Sequence, residues 1–154
     1  MKINVLRKTK FESLMKENNI TNDNATSFND IMFISILNSE DTSGHFKYNQ
    51  QNVLVLFFDD IITDLNWDND PNYLGPIAFT EEQGKQLLEF IDLNKNKEQC
   101  IVHCSAGISR SGAVGTFIND YLGLDYKIFR QTNPQVQPNP LVLRTLKNLT
   151  NNYE

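Results

Sequence analysis

The sequence is poor in cysteine. Only two occur among 154 residues, Cys100 and Cys104. If the chain between them is extended, their Cα atoms lie ~13 Å apart, out of reach of a disulfide. No disulfide framework can be built from this pair, and a reduced, cytoplasmic setting is expected. Basic charge is also short: 14 Lys and Arg against 19 Asp and Glu give a net charge of −5. That balance argues against a general nucleic-acid binder, and the chain has no basic run suited to a membrane surface. No apolar run is long enough to span a bilayer. Residues 1–7 are basic but lack the apolar centre of a signal peptide. There is no internal repeat and no linker, so residues 1–154 are expected to form one domain with a sizeable core. Asparagine is abundant in the loops, and nothing functional follows from it.

What is present is an alternation of strand and helix patterns. Ile3, Val5 and Leu6 suggest a short first strand. Thr9-x-x-Glu12 reads as a capping box, after which Phe11, Leu14 and Met15 recur at helical spacing until about Asn18-Asn19. A polar loop over residues 21–29 leads to a buried strand over 31–37. Residues 38–52 read as a surface connection with a turn at Gly44, and His45 within it as solvated. Residues 53–58, the most apolar run, read as a strand buried on both faces, ending abruptly at Asp59-Asp60. A long connection, 61–79, contains Trp67, Pro71, Tyr73, Gly75 and Pro76. Loops of that length in a compact domain are usually functional. Trp67 and Tyr73 would either wall a pocket or pin the loop to the core. Thr80 to Gln83 caps a helix bearing Leu87, Leu88, Phe90 and Ile91. A strand over 99–103 follows, then a helical stripe of Ala113, Val114, Phe117, Ile118, Tyr121 and Leu122 closed by Gly123. Gly112 and Gly115 inside that helix imply close packing. Residues 126–129 suggest a short helix. Asn139-Pro140 is an N-cap with proline at the first helical position, and Leu143, Leu146 and Leu149 line the last helix. The fold class is therefore α/β: a central, mostly parallel sheet with helices on both faces. Open sheets of this kind place ligands at the carboxyl ends of their strands.

One stretch at such an end carries chemistry: His103-Cys104-Ser105-Ala106-Gly107-Ile108-Ser109-Arg110-Ser111. It follows a strand and opens a helix. Backbone N–H groups of a tight loop, with a helix N-terminus behind them, suit a tetrahedral dianion. Gly107 permits the bend. Arg110 offers a planar fork for two phosphate oxygens. The helix end and Arg110 favour a thiolate at Cys104, which could then attack phosphorus.

At these residues the chain resembles the cysteine-based protein tyrosine phosphatases, whose phosphate-loop signature is His-Cys-x5-Arg-Ser. The wording from Ala106 to Ser111 is most similar to the dual-specificity branch. The resemblance covers roughly residues 31–149, most clearly 53–122. It implies the compact α/β phosphatase fold and hydrolysis through a phosphocysteine at Cys104. Arg110 and the N–H groups of Ser105, Ala106, Gly107, Ile108, Ser109 and Arg110 would hold the phosphoryl oxygens. Ser111 would stabilise the departing thiolate, and His103 would support the loop from behind. Asn139 resembles an asparagine the family uses to brace this loop, although its place as a helix cap accounts for it equally well. The family's general acid is an aspartate after the strand that precedes the intervening helix. Asp60 is the first choice, with Asp59, Asp68 and Asp70 as alternatives. Asp68 and Asp70 lie nearer the family's usual separation from the cysteine, but the connection carrying them is longer than the common pattern.

The reading is a metal-independent, cofactor-free enzyme acting on a phosphorylated protein or peptide, on phosphotyrosine and also phosphoserine or phosphothreonine. Inositol lipids and RNA 5′ phosphates are the alternative substrates within the superfamily. The loop's Ser105, Ala106, Ile108 and Ser109 supply no basic residue for either, and the net acidity disfavours RNA. A non-catalytic phosphate-binding module is a third alternative, disfavoured by the presence of both Cys104 and Arg110. Rhodanese-like sulfur transfer does not call for the Arg110-Ser111 pair, and arsenate reduction would need redox cysteines beyond Cys100. Oligomeric state is not legible in the sequence.

Overall fold

The computed structural model describes residues 1–62 and 75–151. Its elements run in the order β1 (Lys2–Arg7), α1 (Lys8–Glu17), β2 (Ile31–Leu37), β3 (Val53–Phe57), α2 (Glu81–Asn94), β4 (Gln99–Cys104), α3 (Arg110–Tyr121), α4 (Tyr126–Thr132) and α5 (Pro140–Asn151). The four strands form one parallel sheet in the order β1-β4-β2-β3. The expected α/β class and parallel sheet are thus observed. Because all strands run the same way, Arg7, Leu37, Phe57 and Cys104 end at one edge of the sheet.

Alternation along the strands divides the core in two. Ile3, Val5, Met32, Ile34, Ile36, Leu54, Leu56, Cys100, Val102 and Cys104 pack with α2, α3, α5 and Phe129 of α4. The other side is thinner. Phe33, Val53 and Ile101 meet Phe11 and Met15 of α1 together with Ile20, Ala25 and Phe46. Gly115 lets α3 approach β1: a Cβ there would lie 2.7 Å from Val5 Cγ2. At Gly112 a Cβ would lie 3.0 Å from Val136 Cγ1, so both glycines answer to packing, as their positions implied.

Four expectations need correction. The helix after β1 begins at Lys8 with Arg7 as N-cap and no side-chain cap, so Thr9 and Glu12 form no capping box. Continuation straight out of β1 leaves no room for one. The apolar run of β3 is an edge strand, with Val55 half-buried and Phe57 exposed, and is not buried on both faces. Residues 38–52 are more than a surface connection, because Phe46 is fully buried against Phe11 and Phe33. His45 is half-buried, its Nε2 2.8 Å from the Ile20 carbonyl and its ring edge-on to Phe11, where solvation was expected.

Elsewhere the local chemistry acts as read. Thr80 and Gln83 form the reciprocal capping box of α2, a device whose hydroxyl contributes ~1 kcal/mol. Asn139 Oδ1 accepts from Val142 N–H at 3.1 Å to cap α5. Side-chain amides blunt both sheet edges. Asn133 accepts from Val5 N–H and donates to the Ile3 carbonyl on β1, while Asn49 Oδ1 accepts from Val55 N–H on β3. Edge groups satisfied in this way offer less template for another strand.

Candidate active site

The loop between β4 and α3 is held from outside by its carbonyls. Ser105 O accepts from Lys8 N–H at 3.1 Å, Ile108 O from Gln137 N–H at 3.0 Å, and Ser109 O from Asn139 N–H at 3.0 Å. Gly107 O accepts from Gln135 Nε2 at 3.2 Å. In a trans peptide the carbonyl of one residue and the N–H of the next point in opposite directions. The N–H groups of Ala106, Ile108, Ser109 and Arg110 are therefore turned toward the concave side of the loop. Gly107 N–H is on that side too, 3.3 Å from Cys104 Sγ. Gly107 has φ +70°, and a Cβ on it would come within 2.4 Å of Arg7 N. Only glycine fits both that conformation and that approach.

Cys104 sits at the floor, 2 % exposed, with Sγ 3.0 Å from Ser111 Oγ. Both cysteines are free and buried. Burial alone pushes the Cys100 thiol far above its ordinary range. Arg110, itself 5 % exposed, donates from Nη1 to Asn38 Oδ1 (2.9 Å) and the Phe58 carbonyl (2.8 Å), and from Nη2 to Ser105 Oγ (3.1 Å). These acceptors are neutral, so they orient the guanidinium without cancelling its charge.

The two aspartates after β3 part company. Asp59 Oδ2 accepts from Ile77 N–H at 2.7 Å and from Ser39 Oγ, and its Oδ1 from Ser39 N–H at 3.0 Å. Burial pushes its carboxyl up, but the Ser39 hydroxyl, the Ile77 and Ser39 N–H groups and the Arg110 charge outweigh that and hold it below the usual range. Asp60 is exposed and faces the loop: its Oδ1 accepts from Ser109 Oγ at 2.8 Å and Asn139 Nδ2 at 2.7 Å. Ser109, the N-cap of α3, makes no side-chain cap because its hydroxyl is turned to Asp60. Asn139 serves at once as cap of α5 and as clamp on Asp60 and the Ile61 carbonyl. Asp68 and Asp70, with Trp67, Pro71 and Tyr73, lie outside the described residues.

His103 is 1 % exposed behind the loop, its Nδ1 3.2 Å from the Cys104 carbonyl. Sequence reasoning missed Ser35, Asn38, Ser39 and Gln135, all of which touch this machinery. A signal existed for Ser35, the lone polar residue in Ile31–Leu37. Asn38 and Ser39 carried only their place just past a strand's carboxyl end.

The four-stranded parallel sheet with a cysteine-to-arginine loop at its carboxyl edge has a protein tyrosine phosphatase-like fold. The PTP-2 phosphatase of Cydia pomonella superposes with a TM-score of 0.53 at 14 % identity, over 96 % of this chain and 85 % of that one. The human tyrosine phosphatase-like serine/threonine/tyrosine-interacting protein superposes with a TM-score of 0.50 at 21 % identity, over 88 % and 85 %. At these identities the likeness is one of fold. No family model and no curated protein matches the chain. Among the described residues, no helix is long and apolar enough to cross a membrane.

Proposed function

We propose that this chain, as a single phosphatase domain, hydrolyses phosphate monoesters of proteins through a phosphocysteine intermediate. Phosphotyrosine is the main substrate, with phosphoserine and phosphothreonine also accepted. The observation that carries the proposal is the placement of Cys104 Sγ against Gly107 N–H and Ser111 Oγ, in a loop whose amides face inward and whose Arg110 charge meets neutral acceptors. The Cys104 thiolate attacks phosphorus as the P–O bond to the leaving group breaks. The loop N–H groups and Arg110 carry the charge spread over the equatorial oxygens. Asp60 gives its proton to the leaving oxygen. Its Oδ1 already holds two donors, so the proton is carried on Oδ2. Water then attacks the phosphocysteine, its proton returns to Asp60, and inorganic phosphate leaves. Ser111 Oγ–H donates to the departing thiolate. Asp59 is drawn away from the loop by Ser39 and the Ile77 N–H, whereas Asp60 bonds Ser109 of the loop itself. Neither metal nor cofactor takes part, and the setting is a reducing one, the cytoplasm.

The loop's lack of Lys and Arg disfavours inositol lipids. The test is turnover of p-nitrophenyl phosphate and of phosphopeptides in EDTA, by wild type and Cys104→Ser. Wild-type turnover, with loss of turnover and retained phosphate binding in Cys104→Ser, is expected. Phosphate binding by a wild type that turns over nothing would leave a phosphate-binding module in place of an enzyme.

A further inference from the structure

Ser35 and His103 are register partners on the neighbouring strands β2 and β4, and both side chains point to the thinner side of the sheet. Ser35 Oγ is 2.6 Å from His103 Nε2, and both residues are buried. The imidazole stacks on Phe11, with ring centroids 4.1 Å apart at 21°. Its Nδ1 lies 3.2 Å from the Cys104 carbonyl. A carbonyl only accepts, so the proton of that bond must be on Nδ1. The basic groups facing the ring are Lys8 from α1, His45 from the 38–52 connection and Arg110 from α3. Burial first, and these basic neighbours with it, hold the ring's pKa down at about 4 despite the Cys104 carbonyl. The ring is then neutral near pH 7, Nε2 carries no proton, and the bond to Ser35 runs from the hydroxyl to the ring.

We infer that Ser35 is a positioning residue for the nucleophile: its hydroxyl anchors the ring of His103, an Nδ1–H tautomer, and that N–H grips the Cys104 carbonyl where β4 turns into the loop. The grip sets the plane of the Cys104–Ser105 peptide, and so the direction from which Sγ enters the amide cradle. Its consequence for catalysis rests on the thiol-nucleophile reading above. Without the hydroxyl, Nε2 would be left bare in an apolar setting. Moving the proton to Nε2 would not restore a partner and would give up the carbonyl.

The tautomer is read directly by long-range ¹H–¹⁵N correlation on histidine-labelled protein. Only two histidines occur, and a His45→Gln variant leaves His103 alone in the spectrum. Wild type at neutral pH is expected to show Nδ1 protonated and Nε2 bare; a ring protonated on Nε2, or on both nitrogens, overturns the inference. Ser35→Ala is expected to keep the proton on Nδ1, to shift the Nε2 resonance to that of a nitrogen without a donor, and to slow iodoacetate alkylation of Cys104 about tenfold, the upper end of what one lost neutral hydrogen bond costs. Ser35→Thr keeps the hydroxyl and is expected to restore both. Wild-type alkylation in Ser35→Ala, or failure of the threonine to restore it, also overturns the inference. If Ser35→Ala does not fold, the wild-type spectrum and the threonine variant decide. Alkylation and spectra need no phosphatase turnover, so a chain that passes both yet hydrolyses nothing would refute the enzyme and leave the positioning role standing.

Discussion

Replacing Gly107 by alanine tests whether the loop is braced from β1 as described. At φ +70° an L-residue costs ~1–2 kcal/mol. The new Cβ would also stand 2.4 Å from Arg7 N and 2.5 Å from Leu6 C, both backbone atoms that cannot rotate away. Ordinary contact requires the loop and the β1–α1 junction to separate by about 1 Å. That movement strains the Lys8 N–H to Ser105 O and Gln135 to Gly107 O bonds, each contributing ~0.5–1.5 kcal/mol. Roughly 2–5 kcal/mol of stability should be lost. Gly123→Ala is the internal control. It has nearly the same backbone, φ +66°, with nothing within 4 Å of its Cβ, so only the conformational cost applies. Urea denaturation followed by circular dichroism gives both values. Displacing the loop amides by about 1 Å should further lower p-nitrophenyl phosphate turnover ~10²-fold in Gly107→Ala, with no change in Gly123→Ala. Equal stability losses in the two variants, with wild-type turnover in both, would refute the brace.

Asp60→Asn should slow turnover of alkyl and tyrosyl phosphates ~10²–10⁴-fold, and p-nitrophenyl phosphate much less; a pH–rate profile that keeps its alkaline limb in the variant moves the acid elsewhere. Asp59→Asn should instead cost mainly stability. The folded pKa of Asp59 is held below the ordinary aspartate value, so its contribution is present above about pH 4 and lost as pH falls through the lower folded value; unfolding curves at pH 7 and pH 3 check this. His103 works over a higher window. Its folded pKa of about 4 lies below the unfolded 6.5, so the unfolded chain binds the proton first and stability falls as pH drops from 6.5 to 4. The loss is on the order of 3 kcal/mol and should be absent from the pH dependence of His103→Gln. Arg110→Lys should lose most turnover, because a point charge cannot hold the Asn38 and Phe58 acceptors and the substrate together; unchanged rate and vanadate affinity would contradict this.

The sequence alone singled out the Cys104–Arg110 loop as the candidate site, because the features that mark it are local. Cys104, Gly107, Arg110 and Ser111 stand at fixed spacing between a strand and a helix, and the caps at Thr80 and Asn139 act within one turn. The apolar runs likewise marked which stretches form strands. They could not tell which strands are neighbours. An apolar run looks the same at an edge as in the centre, so β3 was misplaced, and β4 between β1 and β2 is a tertiary result. The choice between Asp59 and Asp60 was equally out of reach. It turns on Ser39 and Ile77, which draw one carboxylate aside, and on Ser109 and Asn139, which draw the other to the loop. Ser35 to His103 and Asn38 to Arg110 span 68 and 72 positions of sequence. No period or motif encodes such pairs. They exist because parallel strands bring their carboxyl ends to one edge, and only the folded sheet sets that edge.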